Sequence, residues 1–295
     1  MSGNGRPVTA VIMSVYGGDM PEWFQLALDS LRGQTYPADK VHIYLGVDGP
    51  IGLALDAVIE ANRGLFHKVI QSPVNIHLCG IMNLLIRNLD AEEYVFRMDS
   101  DDICEPGRFE AQVAFMEAHR DIGVLGTPIL EFDTQAAWSR IRYYPVKHEE
   151  LASRMHLGLP FAHPTVCIRR ESLDRMGGYS MASILNQDVE LWFRALSMGI
   201  RFANLEEPQL RFRSNLSMLA RRTRAKSWNE LILYIQGCYK IYGISYRMLF
   251  PFLRYLLRLM PMRVIQASYS SNIRHRLLAG KVGGRTGKEG RPGRA

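Results

Sequence analysis

The chain has 295 residues, 47% of them hydrophobic and 22% charged, an ordinary globular composition with ample length for a sizeable core. Its four cysteines, Cys79, Cys104, Cys167 and Cys238, are far apart and form no CxxC pair, which argues against a disulfide framework or a zinc site and for a reducing cytosol. The net charge of +7 sits in the C-terminal quarter: Lys281–Ala295 carries five basic residues and one acidic, and Arg221, Arg222, Arg224 and Lys226 add four more.

Met1–Val8 is polar and glycine-rich, so no signal peptide is expected. Val8–Tyr16 is a near-continuous apolar run, as in a central parallel strand. Asp19, three residues before Glu22 and just ahead of Pro21, reads as the cap of a helix whose face is Phe24, Ala27, Leu28 and Leu31, stopped by Gly33. A strand at Val41–Val47, a helix at Leu53–Asn62, a strand at Phe66–Gln71 and a helix at Cys79–Leu89 follow. Such alternation predicts a parallel sheet covered by helices, with ligands bound outside the carboxyl ends of its strands.

The stretch Glu93–Arg108 (EYVFRMDSDDICEPGR) is central. A buried strand runs directly into Asp99, Asp101 and Asp102, and carboxylates so placed repel one another unless a counter-charge intervenes. A divalent cation with substrate phosphates resolves the conflict, whereas a solvated acidic turn is the plainer alternative. Ile103 and Cys104 stand where an EF-hand needs oxygen ligands and glycine, so that reading fails. No GxGxxG and no Walker lysine loop occurs, which disfavours dinucleotide and ATP cradles.

Beyond Arg108 the pattern predicts a helix at Arg108–His119, one strand at Gly123–Phe132, a hairpin arm at Trp138–Tyr144, a strand entered through Phe161–Ile168 and a tight turn at Met176–Tyr179. Asn186–Met198 reads as a helix with Val189, Trp192, Phe193 and Leu196 on one face and Asp188 in its first turn, where a carboxylate serves as cap or as catalytic base. Ser227–Glu230 reads as a capping box for a helix with Trp228, Leu231, Ile232, Ile235, Cys238, Tyr239 and Tyr242 on one face. Tyr246–Leu259 is a second amphipathic segment, bent or started by Pro251, with Arg247, Arg254 and Arg258 in one stripe. These two helices either lie in a membrane interface or pack back onto the domain, and Lys281–Ala295 is expected to be disordered.

Several short motifs, in order, resemble the inverting nucleotide-sugar glycosyltransferases of family 2, which have the GT-A fold. They are Val11–Tyr16, Leu31–Pro37 (LRGQTYP), Met82-Asn83, Arg97–Asp102 with Pro106 and Arg108, His163-Pro164-Thr165, Gly177-Gly178-Tyr179, and Gln187-Asp188 with Leu191, Trp192 and Arg194. Val47 precedes Asp48 where the family has paired aspartates, and Gln187 precedes Asp188 where it has glutamate.

The resemblance implies an α/β GT-A domain over residues 1–215, a C-terminal helical segment over 216–280 and a basic tail over 281–295. It implies metal-dependent transfer of a sugar, with inversion, from a nucleoside-diphosphate sugar (a UDP-sugar above others) to a saccharide or lipid-linked saccharide, in bacterial surface polysaccharide biosynthesis. Asp188 would be the base, and Asp101 and Asp102 would hold Mg²⁺ or Mn²⁺. Val15, Tyr16, Asp48, Asn83 and Asp99 would bind the donor, and His163, Gly178, Trp192 and Arg213 would line the acceptor or sugar pocket. The expected location is the cytoplasm, peripheral on the inner face of the plasma membrane if the helices dock there, with no specific nucleic acid as partner. A sugar nucleotidyltransferase, which should carry a basic glycine-rich loop after the first strand, and a non-catalytic subunit of a polysaccharide assembly complex are the alternatives.

Overall fold

The computed structural model describes residues 5–133, 138–214 and 223–259. In chain order it contains β1 (Thr9–Tyr16), α1 (Pro21–Arg32), β2 (Val41–Asp48), α2 (Leu53–Ala61), β3 (Lys68–Ser72), α3 (His77–Arg87), β4 (Tyr94–Met98), β5 (Ile103–Cys104) and α4 (Arg108–Ala118). There follow β6 (Ile122–Gly126), β7 (Ile129–Asp133), β8 (Trp138–Arg142), α5 (His148–Arg154), β9 (Cys167–Arg169), α6 (Arg170–Met176), α7 (Gln187–Ser197), β10 (Arg201–Asn204), β11 (Leu210–Arg213), α8 (Arg224–Tyr242) and α9 (Leu249–Leu259).

Seven strands form the central sheet in the order β10-β6-β9-β4-β1-β2-β3. The half made of β1 to β4 is parallel, with Tyr16 opposite Asp48 and Met13 opposite Met98, so the ends of β1, β2 and β4 meet on one rim. This is the mostly parallel, helix-covered α/β sheet that the alternation predicts, with β9 antiparallel between β4 and β6. A second sheet, β5-β11-β7-β8, stands beside the acidic turn.

The apolar run of β1 is continuous because both faces of the sheet are covered. Ala10 and Ile12 point into one core with α3, α7 and α8, whereas Val11, Met13 and Val15 point into another with α1, α2 and α4.

Three expectations fail locally. The single strand expected over Gly123–Phe132 is two, β6 and β7, placed in different sheets. Pro128 has no N–H for a ladder, and the buried Thr127 instead takes its N–H to Thr165 Oγ1 at 3.2 Å. Asp19 is not the N-cap of α1, which is Met20, and the Asp19 carboxylate turns back to the end of β1.

The expected capping box lies inside α8, which begins three residues earlier behind Thr223, whose Oγ1 accepts from Lys226 N at 3.1 Å. The helix is therefore seated on a different stripe, burying Ser227, Glu230, Leu231, Tyr234, Gly237 and Cys238 and leaving Trp228 and Tyr239 more than half exposed. The reading of 281–295 as disordered lies outside the described residues, as does that of 216–222 and 260–280 as helical segment.

Candidate functional site

The buried strand β4 delivers Asp99, Asp101 and Asp102 to the rim, where one carboxylate oxygen from each lies within 4.8 Å of the others. Asp102 is fully buried; its Oδ1 accepts the Arg213 backbone N–H at 2.9 Å, and its Oδ2 has no partner among the described residues. Burial, then the charges of Asp99 and Asp101, push its carboxyl well above the usual range. Burial also pushes Asp101 up to about 6, helped by Asp99 and Asp19. A buried, unsatisfied carboxylate oxygen costs roughly 1–3 kcal/mol and a buried unpaired charge more. A hard divalent ion would remove both penalties together, since it supplies the charge and coordinates the spare oxygen. The donor set fits Mg²⁺ or Mn²⁺: all oxygens, several charged, none soft.

Around this turn the rim is cross-braced. Asp19 Oδ2 accepts from Tyr16 N at 3.1 Å and from Ser100 Oγ at 2.9 Å, tying the end of β1 to the acidic turn. Tyr16 is exposed at the lip. Asp48, at the end of β2, uses Oδ1 to accept the Ile76 N–H at 2.7 Å and so closes the loop into α3. Val15 does not reach the rim with its side chain, which is buried beside α1; strand alternation turns Val15 inward and Tyr16 outward.

The opposite wall is built by α7 and the Gly177-Gly178-Tyr179 turn. Asn83 is committed to that turn rather than to a ligand: its Nδ2 donates to Tyr179 O at 2.8 Å and its Oδ1 accepts Tyr179 N–H at 2.7 Å. Gly178 has φ +76°, and a Cβ there would fall 2.5 Å from Asn83 Oδ1, so the residue is set by backbone and packing. His163 Nε2 lies 2.8 Å from the Tyr179 hydroxyl. Burial, and then Arg97, pull its pKa well below the usual value, so it is a neutral wall residue.

Trp192 does not offer a face to a sugar. It is fully buried edge-on to Phe161 and Phe202, as helical spacing on a core face dictates. Arg213 also differs from expectation: it braces the acidic turn, with Nε donating to Asp101 O at 2.9 Å and its guanidinium 4.8 Å from the rings of Trp23 and Phe132.

Asp188 is the second residue of α7 and half-buried, its Oδ1 accepting Val189 N–H at 2.9 Å. Burial raises its pKa, while Lys226 and Arg97 oppose the rise. Two groups lie within electrostatic reach of both Asp188 and the acidic turn. Arg97 ion-pairs with Asp99 and stabilises the charge of Asp188, and the Tyr179 hydroxyl feels Asp99 and Asp188 together. The sequence reading passed over Arg97 as a site residue. Its signal is plain in retrospect: a charge within an apolar strand must find a partner. It is 2% exposed, with Nε and Nη1 unpartnered among the described residues.

A family model described as Glycosyl transferase family 2 matches residues 10–177, and one described as Glycosyl transferase family group 2 matches residues 94–279. The amylovoran biosynthesis glycosyltransferase AmsE of Erwinia amylovora is 32% identical over 270 residues, 89% of this chain and 98% of that protein. The UDP-Gal:alpha-D-GlcNAc-diphosphoundecaprenol beta-1,3-galactosyltransferase of Escherichia coli is 28% identical over 241 residues, 81% and 85% of the two chains. Among solved structures, S. aureus TarS 1-349 in complex with UDP superposes with a TM-score of 0.63 at 16% identity, over 91% of this chain and 77% of that one. The mannosyltransferase PcManGT from Pyrobaculum calidifontis, in complex with GDP-Man and Mn2+, gives 0.58 at 15%, over 93% and 79%.

Proposed function

The chain belongs to glycosyl transferase family 2, and from that premise we propose that it moves a sugar from a UDP-sugar to a hydroxyl of a lipid-linked saccharide, with inversion, in the assembly of a bacterial surface polysaccharide. The observation that carries the chemistry is the three-carboxylate turn whose buried member, Asp102, is short of one partner at Oδ2 among the described residues. The solved neighbours with UDP, and with GDP-Man and Mn2+, support a nucleotide-sugar donor and a cation. The name of the Escherichia coli relative supports a lipid-diphosphate acceptor.

Asp101 and Asp102, with Asp99, would hold Mg²⁺ or Mn²⁺, whose charge when bound offsets that of the leaving diphosphate. Tyr16 and the Asp48 loop line the nucleoside end of the rim. Asp188 takes the proton from the acceptor hydroxyl as its oxygen attacks the anomeric carbon on the face away from the diphosphate, and that single displacement inverts the centre. A raised pKa suits this task, since Asp188 then holds an abstracted proton more firmly than an exposed carboxylate does. Arg97, paired with Asp99, favours the charged form of Asp188 against the burial that disfavours it.

A positioned base contributes roughly 10²–10⁴-fold, so Asp188→Asn should lower turnover by about that factor with the donor dissociation constant unchanged. Turnover within a few-fold of wild type would remove Asp188 from the role.

A further inference from the structure

Helix α9 carries its charges inward and its leucines outward. Arg254 and Arg258 both pair with the buried Glu230 of α8, and Arg254 also donates to Leu157 O and to the Tyr234 hydroxyl, each at 3.2 Å. The apolar residues Leu249, Phe252, Leu253, Leu256, Leu257 and Leu259 are meanwhile 46–68% exposed. A helix covering a core in water shows the reverse arrangement. Here Glu230 fixes which way the helix faces, because turning the leucines inward would strand that carboxylate without its two arginines. Beside this face Trp228 of α8 is 54% exposed and packs on Tyr255, and Tyr246 is 68% exposed at the other end of α9. No described helix is long and apolar enough to cross a membrane.

Charge selects the occupant. Residues 214–295 hold sixteen basic and two acidic residues, whereas residues 1–213 hold twenty basic and twenty-seven acidic. Arg224, Lys226, Lys240 and Arg247 of that basic part lie on α8 and at the entry to α9. An apolar helical face flanked by aromatic residues and cations matches an anionic bilayer surface, where leucines enter the acyl boundary and indole and phenol rings sit at headgroup level. A second copy of this chain would bring the same positive charge against itself.

We infer that the outward face of α9, with the Trp228 end of α8, is a docking surface for anionic phospholipid, α9 lying in the plane of the interface. Its consequence for catalysis rests on the lipid-linked acceptor proposed above. Helix α8 packs on α7, with Gly237 against Phe193 and Asn186 Nδ2 donating to Lys226 O at 3.1 Å, so docking brings the helix that carries Asp188 to the lipid boundary.

The test is flotation of the full chain with vesicles of phosphatidylcholine, with and without phosphatidylglycerol, for wild type and the double variant Leu253→Glu/Leu256→Glu. Wild type should float with the anionic vesicles and far less with the neutral ones. The variant should lose at least about tenfold of that partitioning, while its melting temperature and its Mn²⁺-dependent binding of UDP stay unchanged. Equal flotation of both forms, or none by wild type, overturns the inference. So does light scattering in which wild type is a dimer and the variant a monomer with vesicle binding unaltered, since the face would then join two copies. UDP binding is read separately, so a chain that floats without binding UDP defeats the enzymatic reading alone.

Discussion

At Asp102 one carboxylate oxygen takes the Arg213 amide and the other meets no partner, while Asp99 and Asp101 press on the same volume. A carboxyl whose pKa is raised by folding favours the protonated form, so its ionisation costs stability as pH rises above the unfolded value near 3.9. Asp102→Asn removes the titrating group and with it that cost. We predict that without metal this variant unfolds with about 1–3 kcal/mol more stability in urea, and that it loses the stabilisation Mn²⁺ gives wild type. Asp188 follows the same sign. Burial holds its proton, so turnover should fall with decreasing pH through a midpoint above the ordinary carboxylate range, and that acidic limb should be missing from the residual activity of Asp188→Asn. Both positions stand out in the sequence because carboxylates at strand and helix ends are conspicuous, and the roles given them are those proposed above. The side chains of Asn83, Trp192 and Val15 show what spacing leaves open: it places a residue near strand and helix ends but does not say whether its side chain is already taken, by Tyr179, by Phe161 and Phe202, or by the core beside α1.

The element that positions the base is α7, and α8 holds it in place. Gly237 lets the two helices close, since a Cβ there would lie 2.2 Å from the Phe193 ring. Gly237→Ala should therefore cost about 1–3 kcal/mol by overpacking, read by urea unfolding, and should lower kcat more than it raises KM, because α7 shifts while the donor rim does not. The strands β1 to β4 could be read from sequence because a sheet covered on both faces makes its strands uniformly apolar. The seat of α8 could not. Its buried stripe includes Ser227 and Glu230, and hydrophobic periodicity assumes that apolar residues go inside. Glu230 goes inside to meet Arg254 and Arg258, and Trp228, Ile232 and Tyr239 of α8 and the leucines of α9 are left outward.

On the scale of the whole molecule, the ends of β1, β2 and β4 share one rim beside the second sheet, and α8 packs on α7. The order of the short motifs made this layout legible, because most of them fall at or beside the end of an element, with Met82-Asn83 inside α3 the exception. Pro128, which ends β6 and sends β7 into the other sheet, was hidden inside an apolar stretch. The single base proposed at Asp188 predicts that the product carries the anomeric configuration opposite to the donor's, visible in the anomeric proton coupling of the first-formed glycoside.

The most direct test of the account is calorimetric titration of UDP into the full chain with Mn²⁺ and with EDTA, for wild type, Asp101→Ala and Asp188→Asn. The account predicts that Mn²⁺ tightens binding at least about tenfold, or 1.4 kcal/mol, in wild type and in Asp188→Asn, and by nothing in Asp101→Ala. Equal UDP affinity with and without the metal in wild type, or a metal effect that survives in Asp101→Ala, would contradict it.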